Sequence, residues 1–344
     1  MTDAFKKGMA IPAMPLALDE RRNFSPKHQR AVLRYYMDAG VGGIAVGVHS
    51  TQFAIRDHNL YEPLLDFAAG EINKHPRSIL KIAGVCGKTH QALKEAYIAK
   101  SLGYDFALLS PGGLAGCSEA YLLERTGAVS EVLPVIGFYL QPAVGGRVLG
   151  FSYWKALSQI PNVVGIKCAP FNRYQTIDLA RGVAESGRAS EIALYTGNDD
   201  SIVLDLLTRF NFQFNGKPVE IRFVGGLLGH WGVWVKKAVE LLDRIKSLDD
   251  INPDSIPSDL LTLGAQITDA NAAFFDAANG FKGVIPGIHE VLRRQGIFAG
   301  TWCLDPNEKL SPGQLDEIDR VCASYPDLSD DSFVAENLER WLGD

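Results

Sequence analysis

A chain of 344 residues with 47% apolar side chains can bury one large core, and its formal charge of −6 is unsuited to neutralising a phosphate backbone, which excludes nucleic acid as an expected partner. No run of about 18 apolar residues occurs, and Met1–Met9 carries Lys6 and Lys7 without the apolar stretch of a signal peptide, so the expectation is a cytoplasmic protein with no membrane partner. The five cysteines, Cys86, Cys117, Cys168, Cys303 and Cys322, are odd in number and widely spaced, which fits reduced thiols better than a disulfide frame or a zinc site.

Read in chain order, short apolar runs alternate with helix-like segments. The predicted strands are Ala10–Leu16, Gly43–Val48, Ile79–Val85, Phe106–Ser110, Leu133–Tyr139, Val163–Cys168, Ile192–Thr196 and Arg222–Gly226. Helices are predicted over Lys27–Ala39, Tyr61–Asn73, Gln91–Ser101, Ser118–Ser130, Tyr153–Gln159, Tyr174–Ala184, Asp200–Phe210 and Val233–Asp249. Parallel strands each followed by a helix close naturally into a TIM (β/α)8 barrel. Before the last strand, Asn211–Glu220 reads as a hairpin with an Asn215-Gly216 turn, placed either over the barrel mouth or against a neighbouring subunit. Asn252–Pro257 breaks the chain, and helical patterns to about Asn279, over Phe281–Gln295 and over Pro312–Ser324 form a C-terminal extension. The expected organisation is a catalytic barrel over 1–250 and a helical extension over 251–344.

Within Asn162-Val163-Val164-Gly165-Ile166-Lys167-Cys168-Ala169, alternation puts Val163, Gly165 and Lys167 on one strand face, with Gly165 expected to leave space beneath the lysine. A lysine among apolar walls loses proton affinity and becomes a free amine able to attack a carbonyl, whereas a strand-end lysine that snorkels to water does no chemistry. Leu133–Pro142 repeats the design: Tyr139 ends a strand with Gly137 on its face, and its phenol either moves protons or simply packs. Cys168 follows the lysine and is expected to face away from it.

The order GFYLQP, NVVGIKCA and YTGNDD, preceded by GGIAVG and IAGVCGKT, resembles the dihydrodipicolinate synthase and N-acetylneuraminate lyase family of pyruvate-type class I aldolases over roughly residues 8–325. The resemblance implies that Lys167 forms an imine with a 2-oxo acid and that Tyr139 transfers protons. It implies that Gly47-Val48-His49-Ser50-Thr51-Gln52 holds the substrate carboxylate through Ser50, Thr51 and a protonated His49, although the family's Gly-Thr-Thr-Gly-Glu is matched imperfectly. Gly225, Gly226 and Gly229 permit close approach of a ligand, and Gly226 is assigned to substrate binding. In Thr196-Gly197-Asn198-Asp199-Asp200, Asp199 or Asp200 is expected to cap the next helix. His230 either acts on a second substrate or packs beside Trp231. Phe138, Phe151, Trp154 and Trp231 line an apolar pocket or belong to the core.

Two departures bear on the substrate. Ser110-Pro111-Gly112-Gly113-Leu114 stands where the family's synthases place a second tyrosine, and Arg147 stands later than their carboxylate-binding arginine. A roomier entrance is expected, suited to a substrate other than a small charged semialdehyde. No dinucleotide fingerprint, Walker loop or HExxH pair occurs, so neither cofactor nor metal is expected. The reading is a Schiff-base lyase, aldolase or dehydratase, acting on pyruvate or a sugar-derived 2-oxo acid. The alternative is a non-catalytic barrel that binds a metabolite. The resemblance further implies a homo-oligomer, tetramer or dimer, assisted by the C-terminal helices.

Overall fold

The computed structural model describes residues 2–251 and 255–343. In chain order the elements are α1 (Thr2–Lys6), β1 (Ala10–Pro12), α2 (Pro26–Ala39), β2 (Gly43–Val46), α3 (Tyr61–Ile72), β3 (Leu80–Val85), α4 (Thr89–Ser101), β4 (Phe106–Leu109), α5 (Glu119–Ser130) and β5 (Val135–Leu140). They continue with α6 (Phe151–Gln159), β6 (Val163–Ala169), α7 (Arg173–Ala184), β7 (Ala193–Thr196), α8 (Ile202–Leu207), β8 (Arg209–Phe214), β9 (Lys217–Leu228) and α9 (Val235–Ile251). The rest is helical: α10 (Ser258–Phe274), α11 (Val284–Arg294), α12 (Gln314–Ser324) and α13 (Asp331–Leu342). Eight parallel strands alternating with helices, followed by a helical C-terminal region, make this a (β/α)8 barrel, as the periodicity predicts.

Local chemistry sets the boundaries. Pro26 opens α2 and Gly40, at φ 107°, ends it by donating its N–H to the last carbonyls. Ser118 caps α5 by accepting from Tyr121 N, and Asn172 caps α7 by accepting from Gln175 N. The helix expected to reach Phe210 stops at Leu207, because Arg209–Phe214 pairs antiparallel with β9 instead. Asn215 and Gly216, at φ 51° and 72°, form the expected tight turn. The sequence pattern missed α13, and residues 252–254 of the expected break lie outside the described residues.

The chain divides into two compact units, Met1–Met9 with Leu80–Leu227, and Ala10–Ile79 with Leu228–Asp344. In the first unit the parallel order is β9-β7-β6-β5-β4-β3. Registers run Leu108↔Ile136, Ile136↔Gly165, Phe138↔Lys167 and Lys167↔Tyr195, so these residues share one face. Phe5 of α1 closes the lower part of that face: its ring stacks on Tyr195 at 4.6 Å and meets Phe106 at 4.8 Å. Tyr195 donates its hydroxyl to Phe5 O. The β8–β9 hairpin extends from the N-terminal end of β9, away from the strand ends that carry Lys167, so it does not cover the barrel mouth.

In the second unit, β1 and β2 are linked by the parallel bridge Ala13↔Ala45, α2 packs against α9 and α13, and α10 packs against α11 and α12. Buried Asp330 accepts from Tyr35 Oη at 2.7 Å and Lys236 N at 2.9 Å, fastening α13 to α2 and α9. Two histidines, His230 and His289, are buried here, and burial pushes each down to about 4. No helix among the described residues is long and apolar enough to cross a membrane.

Two outcomes follow from this packing. Phe5→Ala should cost about 3–5 kcal/mol in denaturant unfolding, as deletion of a fully buried phenyl does; a loss under about 1 kcal/mol would mean that Phe5 does not close the layer. A histidine held neutral in the fold but protonated in the unfolded chain contributes stability above an unfolded value near 6.5, and this is lost as pH falls towards about 4. His289→Leu should therefore show a shallower loss of stability than the wild type on acidification, and equal slopes would show that His289 titrates normally.

Candidate active site

Lys167 is the fifth residue of β6 and projects from the face it shares with Phe138 and Tyr195. It is 8% exposed, and its Nζ lies 4.5 Å from the centre of the Phe138 ring. Loss of water pushes the amine down to about 8, against the opposing pull of the Asp199 carboxylate. The ring face also favours the ammonium, yet desolvation outweighs both. At neutral pH a much larger share of the amine is then free than at the ordinary value.

Space for the lysine comes from a different glycine than expected. A Cβ on Gly165 would lie 2.8 Å from the Phe5 ring, so that room is taken by packing from below. It is Gly197 that admits the lysine stem: a Cβ there would lie 2.6 Å from Lys167 Cε. Gly197 donates its N–H to Cys168 O at 2.7 Å, which fixes the turn after β7 against β6. The turn is braced from behind by buried Asp205, which accepts from Thr196 Oγ1 at 2.6 Å, Asn198 Nδ2 at 2.9 Å and Arg173 Nη1 at 2.6 Å. Asn198 also accepts from Phe171 N at 3.0 Å, joining the loops after β6 and β7.

Tyr139 is not brought to Lys167. It pairs in register with Cys168 on the opposite face, its ring 4.8 Å from Trp154 of α6. Its hydroxyl donates to Gln175 Oε1 at 2.9 Å and accepts from Leu149 N at 3.2 Å, and burial pushes it up to about 12. Gly137 lies on that outer face too, where a Cβ would meet Leu157 of α6 at 2.9 Å. Phe138 takes the place beside the amine. Adjacent strand residues point to opposite faces, so the choice between Phe138 and Tyr139 turns on one residue of register.

The remaining assigned residues fall into separate settings. Gly226 sits in β9 opposite Thr196, with its N–H donated to Met9 O at 3.3 Å. In the second unit His49, Ser50 and Thr51 form a single 3-10 turn, and Ser50 is buried. Thr51 Oγ1 donates to Met14 O at 2.6 Å and accepts from Gly47 N and Val48 N, so its hydroxyl holds the turn together. His230 stacks on Phe274 at 5.8 Å as a buried, neutral ring. Arg147 donates to Ala115 O and Cys117 O and thus braces the loop after β4. The position before α8 is held by Ser201, not by the expected aspartates. Cys168 faces away from Lys167, its Sγ 3.9 Å from Thr176 Oγ1.

One residue, and the setting of a second, have little or no signal in the sequence pattern. Arg125, 2% exposed, donates to Gly87 O at 2.7 Å and Ser110 O at 3.0 Å, tying the ends of β3 and β4 together. Nothing in the amphipathic pattern of α5 marks it. Asp199, 5% exposed, is the charge that acts on Lys167, and its buried setting is signalled only by the crowding of polar residues in Thr196–Asp200.

Residues 6–209 match the model of the dihydrodipicolinate synthetase family. The chain belongs to that family. It is 30% identical over 117 residues to the 4-hydroxy-tetrahydrodipicolinate synthase of Alkaliphilus oremlandii, a match covering 33% of this chain and 38% of the relative. Over 201 residues it is 24% identical to the N-acetylneuraminate lyase of Mediterraneibacter gnavus, covering 56% of this chain and 60% of that one. The chain thus matches less than two thirds of the length of either curated relative. The crystal structure of the dihydrodipicolinate synthase of Acinetobacter baumannii complexed with pyruvate superposes with a TM-score of 0.75 at 19% identity, covering 93% of this chain and 99% of that one. At that identity the likeness shows the fold.

With its phenol turned to α6 and α7, Tyr139 has a supporting part in the packing of the family's barrel. Tyr139→Phe should leave the reactivity of Lys167 with carbonyl compounds within about threefold while costing on the order of 1–3 kcal/mol of stability through the unpaired Leu149 N and Gln175. A rate loss of roughly a hundredfold at unchanged stability would restore the phenol to the chemistry.

Proposed function

We propose that this protein is a class I aldolase-type lyase in which Lys167 forms an imine with a 2-oxo acid such as pyruvate. The observation that carries the reading is the buried Lys167 amine near the end of β6, with a proton affinity low enough to leave it partly free at neutral pH. The free amine adds to the 2-oxo carbon, and the carbinolamine loses water to give a protonated imine. That cation draws electrons from the adjacent carbon, which then makes or breaks a carbon–carbon bond or expels a neighbouring hydroxyl. The pyruvate bound to the Acinetobacter baumannii relative supports the substrate class.

The entrance supports a second partner larger than a small semialdehyde. Gly113 has open space where a side chain would stand, and Arg147 is spent on the loop carbonyls instead of a substrate carboxylate. Acceptors or leaving aldehydes of sugar or aromatic type fit this reading. Self-association belongs to it as well, as the family resemblance implies. A barrel that binds a metabolite without turning it over is the second reading, favoured by the phenyl ring of Phe138 at the amine and by the commitment of the neighbouring Tyr195 hydroxyl to Phe5 O.

Borohydride trapping separates the two. Pyruvate with borohydride should add mass at Lys167, with an adduct rate that rises with pH through about 8, because the amine reacts only when deprotonated. Lys167→Arg should fold and give no adduct, since a guanidinium stays protonated. An adduct on another lysine, or none, would overturn the assignment.

A further inference from the structure

We infer that the C-terminal helical region carries a second ligand site, a cavity between α9 and α10 that takes one small, uncharged aromatic molecule. The cavity measures about 200 Å3, and every residue that lines it belongs to the second unit. None of them takes part in the imine chemistry. Its walls are the buried side chains of Trp231, Trp234, Leu241, Ile267 and Leu328.

The sequence around α9 makes the room. Trp234, Ala238 and Leu241 follow one another at spacings of four and three, so they share one helix face, and Leu263 and Ile267 of α10 likewise stand one turn apart. Ala238 is the small member of its stripe. Interiors normally pack to near-crystalline density, and a methyl between an indole and a leucine leaves a hole that a larger side chain would fill.

The aromatic end of the cavity is held in a strained backbone. Trp234 stands at φ 51°, a left-handed conformation that bulky residues rarely adopt. Two backbone donors fix the chain just after it, Val235 N to Tyr35 Oη at 2.8 Å and Lys236 N to Asp330 Oδ2 at 2.9 Å. The indole meets Phe274 edge-on at 4.8 Å, and Phe274 in turn stacks on His230, another lining ring, at 5.8 Å. Strain of this kind persists where the surroundings over-determine it, and it collects at ligand clamps.

Size and charge select the ligand. A dry apolar cavity of about 150 Å3 admits benzene, so this one holds a single substituted ring and is too small for a nucleotide or a peptide strand. At the rim stand two cations, Lys237 and Arg244, and two carboxylates, Glu240 and Asp327. Lys237 pairs with Glu240 at 3.6 Å and Arg244 with Asp259 at 2.6 Å, so an ion entering the cavity would give up its hydration to meet a rim with no net charge. A neutral ring loses nothing comparable, and its face and edge match the aromatic walls.

The experiment is calorimetric titration of the full chain with toluene, benzoate and benzylamine, three probes that share one ring and differ in charge. Toluene should bind saturably at one site with a Kd on the order of 0.1–1 mM, and each ion at least about tenfold more weakly. Ala238→Phe, which puts a ring into the space, should weaken toluene by at least about tenfold while leaving the circular dichroism of the fold unchanged. If that variant does not fold, Leu263→Trp at the half-buried wall makes the same measurement. No saturable binding of toluene overturns the inference, and so does an ion that binds as tightly as toluene. Wild-type affinity in a folded variant shows that the ring binds elsewhere and overturns the site. Affinity that falls as protein concentration rises shows a second copy seated in the cavity and overturns it as well.

Discussion

The desolvation of one amine governs this site. Holding Lys167 at 8% exposure costs its ammonium most of its hydration, and the partners that offset the cost are a phenyl face at 4.5 Å and a buried carboxylate in the turn after β7. Neither offset is complete, and the remainder is what leaves the nitrogen lone pair available. A fully compensating salt bridge would stabilise the fold and abolish the nucleophile. Phe138 below, Gly197 alongside and Asp199 nearby each act on that balance, by apolar cover, by room for the stem and by charge.

Much of the first unit serves to keep the three in place. The inner face of β5, β6 and β7 is set by register, and Phe5 fixes it from below by filling the space that Gly165 leaves. Behind the β7 turn, Asp205 carries a buried charge whose desolvation is met by Arg173, Thr196 and Asn198 together. Breaking one member would leave the others unsatisfied in a dry interior, which is the condition under which a polar network enforces a single geometry.

The barrel was legible because alternation of apolar runs with helical periods is a property of local sequence, and Lys167 was legible because a charge at the end of such a run contradicts its surroundings. Tyr139 is turned away from the lysine for a reason internal to strands. Gly137-Phe138-Tyr139 offers two aromatics on adjacent residues, and only the pairing Phe138↔Lys167 decides which shares the lysine's face. That pairing is a long-range fact. The same holds for Gly165 and Gly197: the glycine within the strand is the visible one, yet the glycine that accommodates the lysine lies in the turn after β7, beyond the whole of α7. Thr51 is expected to offer its hydroxyl to a substrate carboxylate, and that hydroxyl closes its own turn onto Met14 O. Arg125 gave no local signal, because an arginine at the buried edge of a helix differs from a solvated one only in what it meets.

The side chains around Lys167 stand on two kinds of support, strand and loop. An acid or base on a strand is held by the ladder itself, whereas one on a loop is only as well placed as the loop is rigid. The turn after β7 is fastened by Asp205 and Asn198, and the loop after β4 by Arg147 and, through Ser110 O, by Arg125. These braces lie outside the reacting atoms but set their spacing, and misplacement of about 1 Å is enough to cost two orders of magnitude in rate. The buried charges of Asp205 and Arg125 oppose burial, and each is met by the loop groups it holds, Thr196 and Asn198 after β7 and the Ser110 carbonyl after β4.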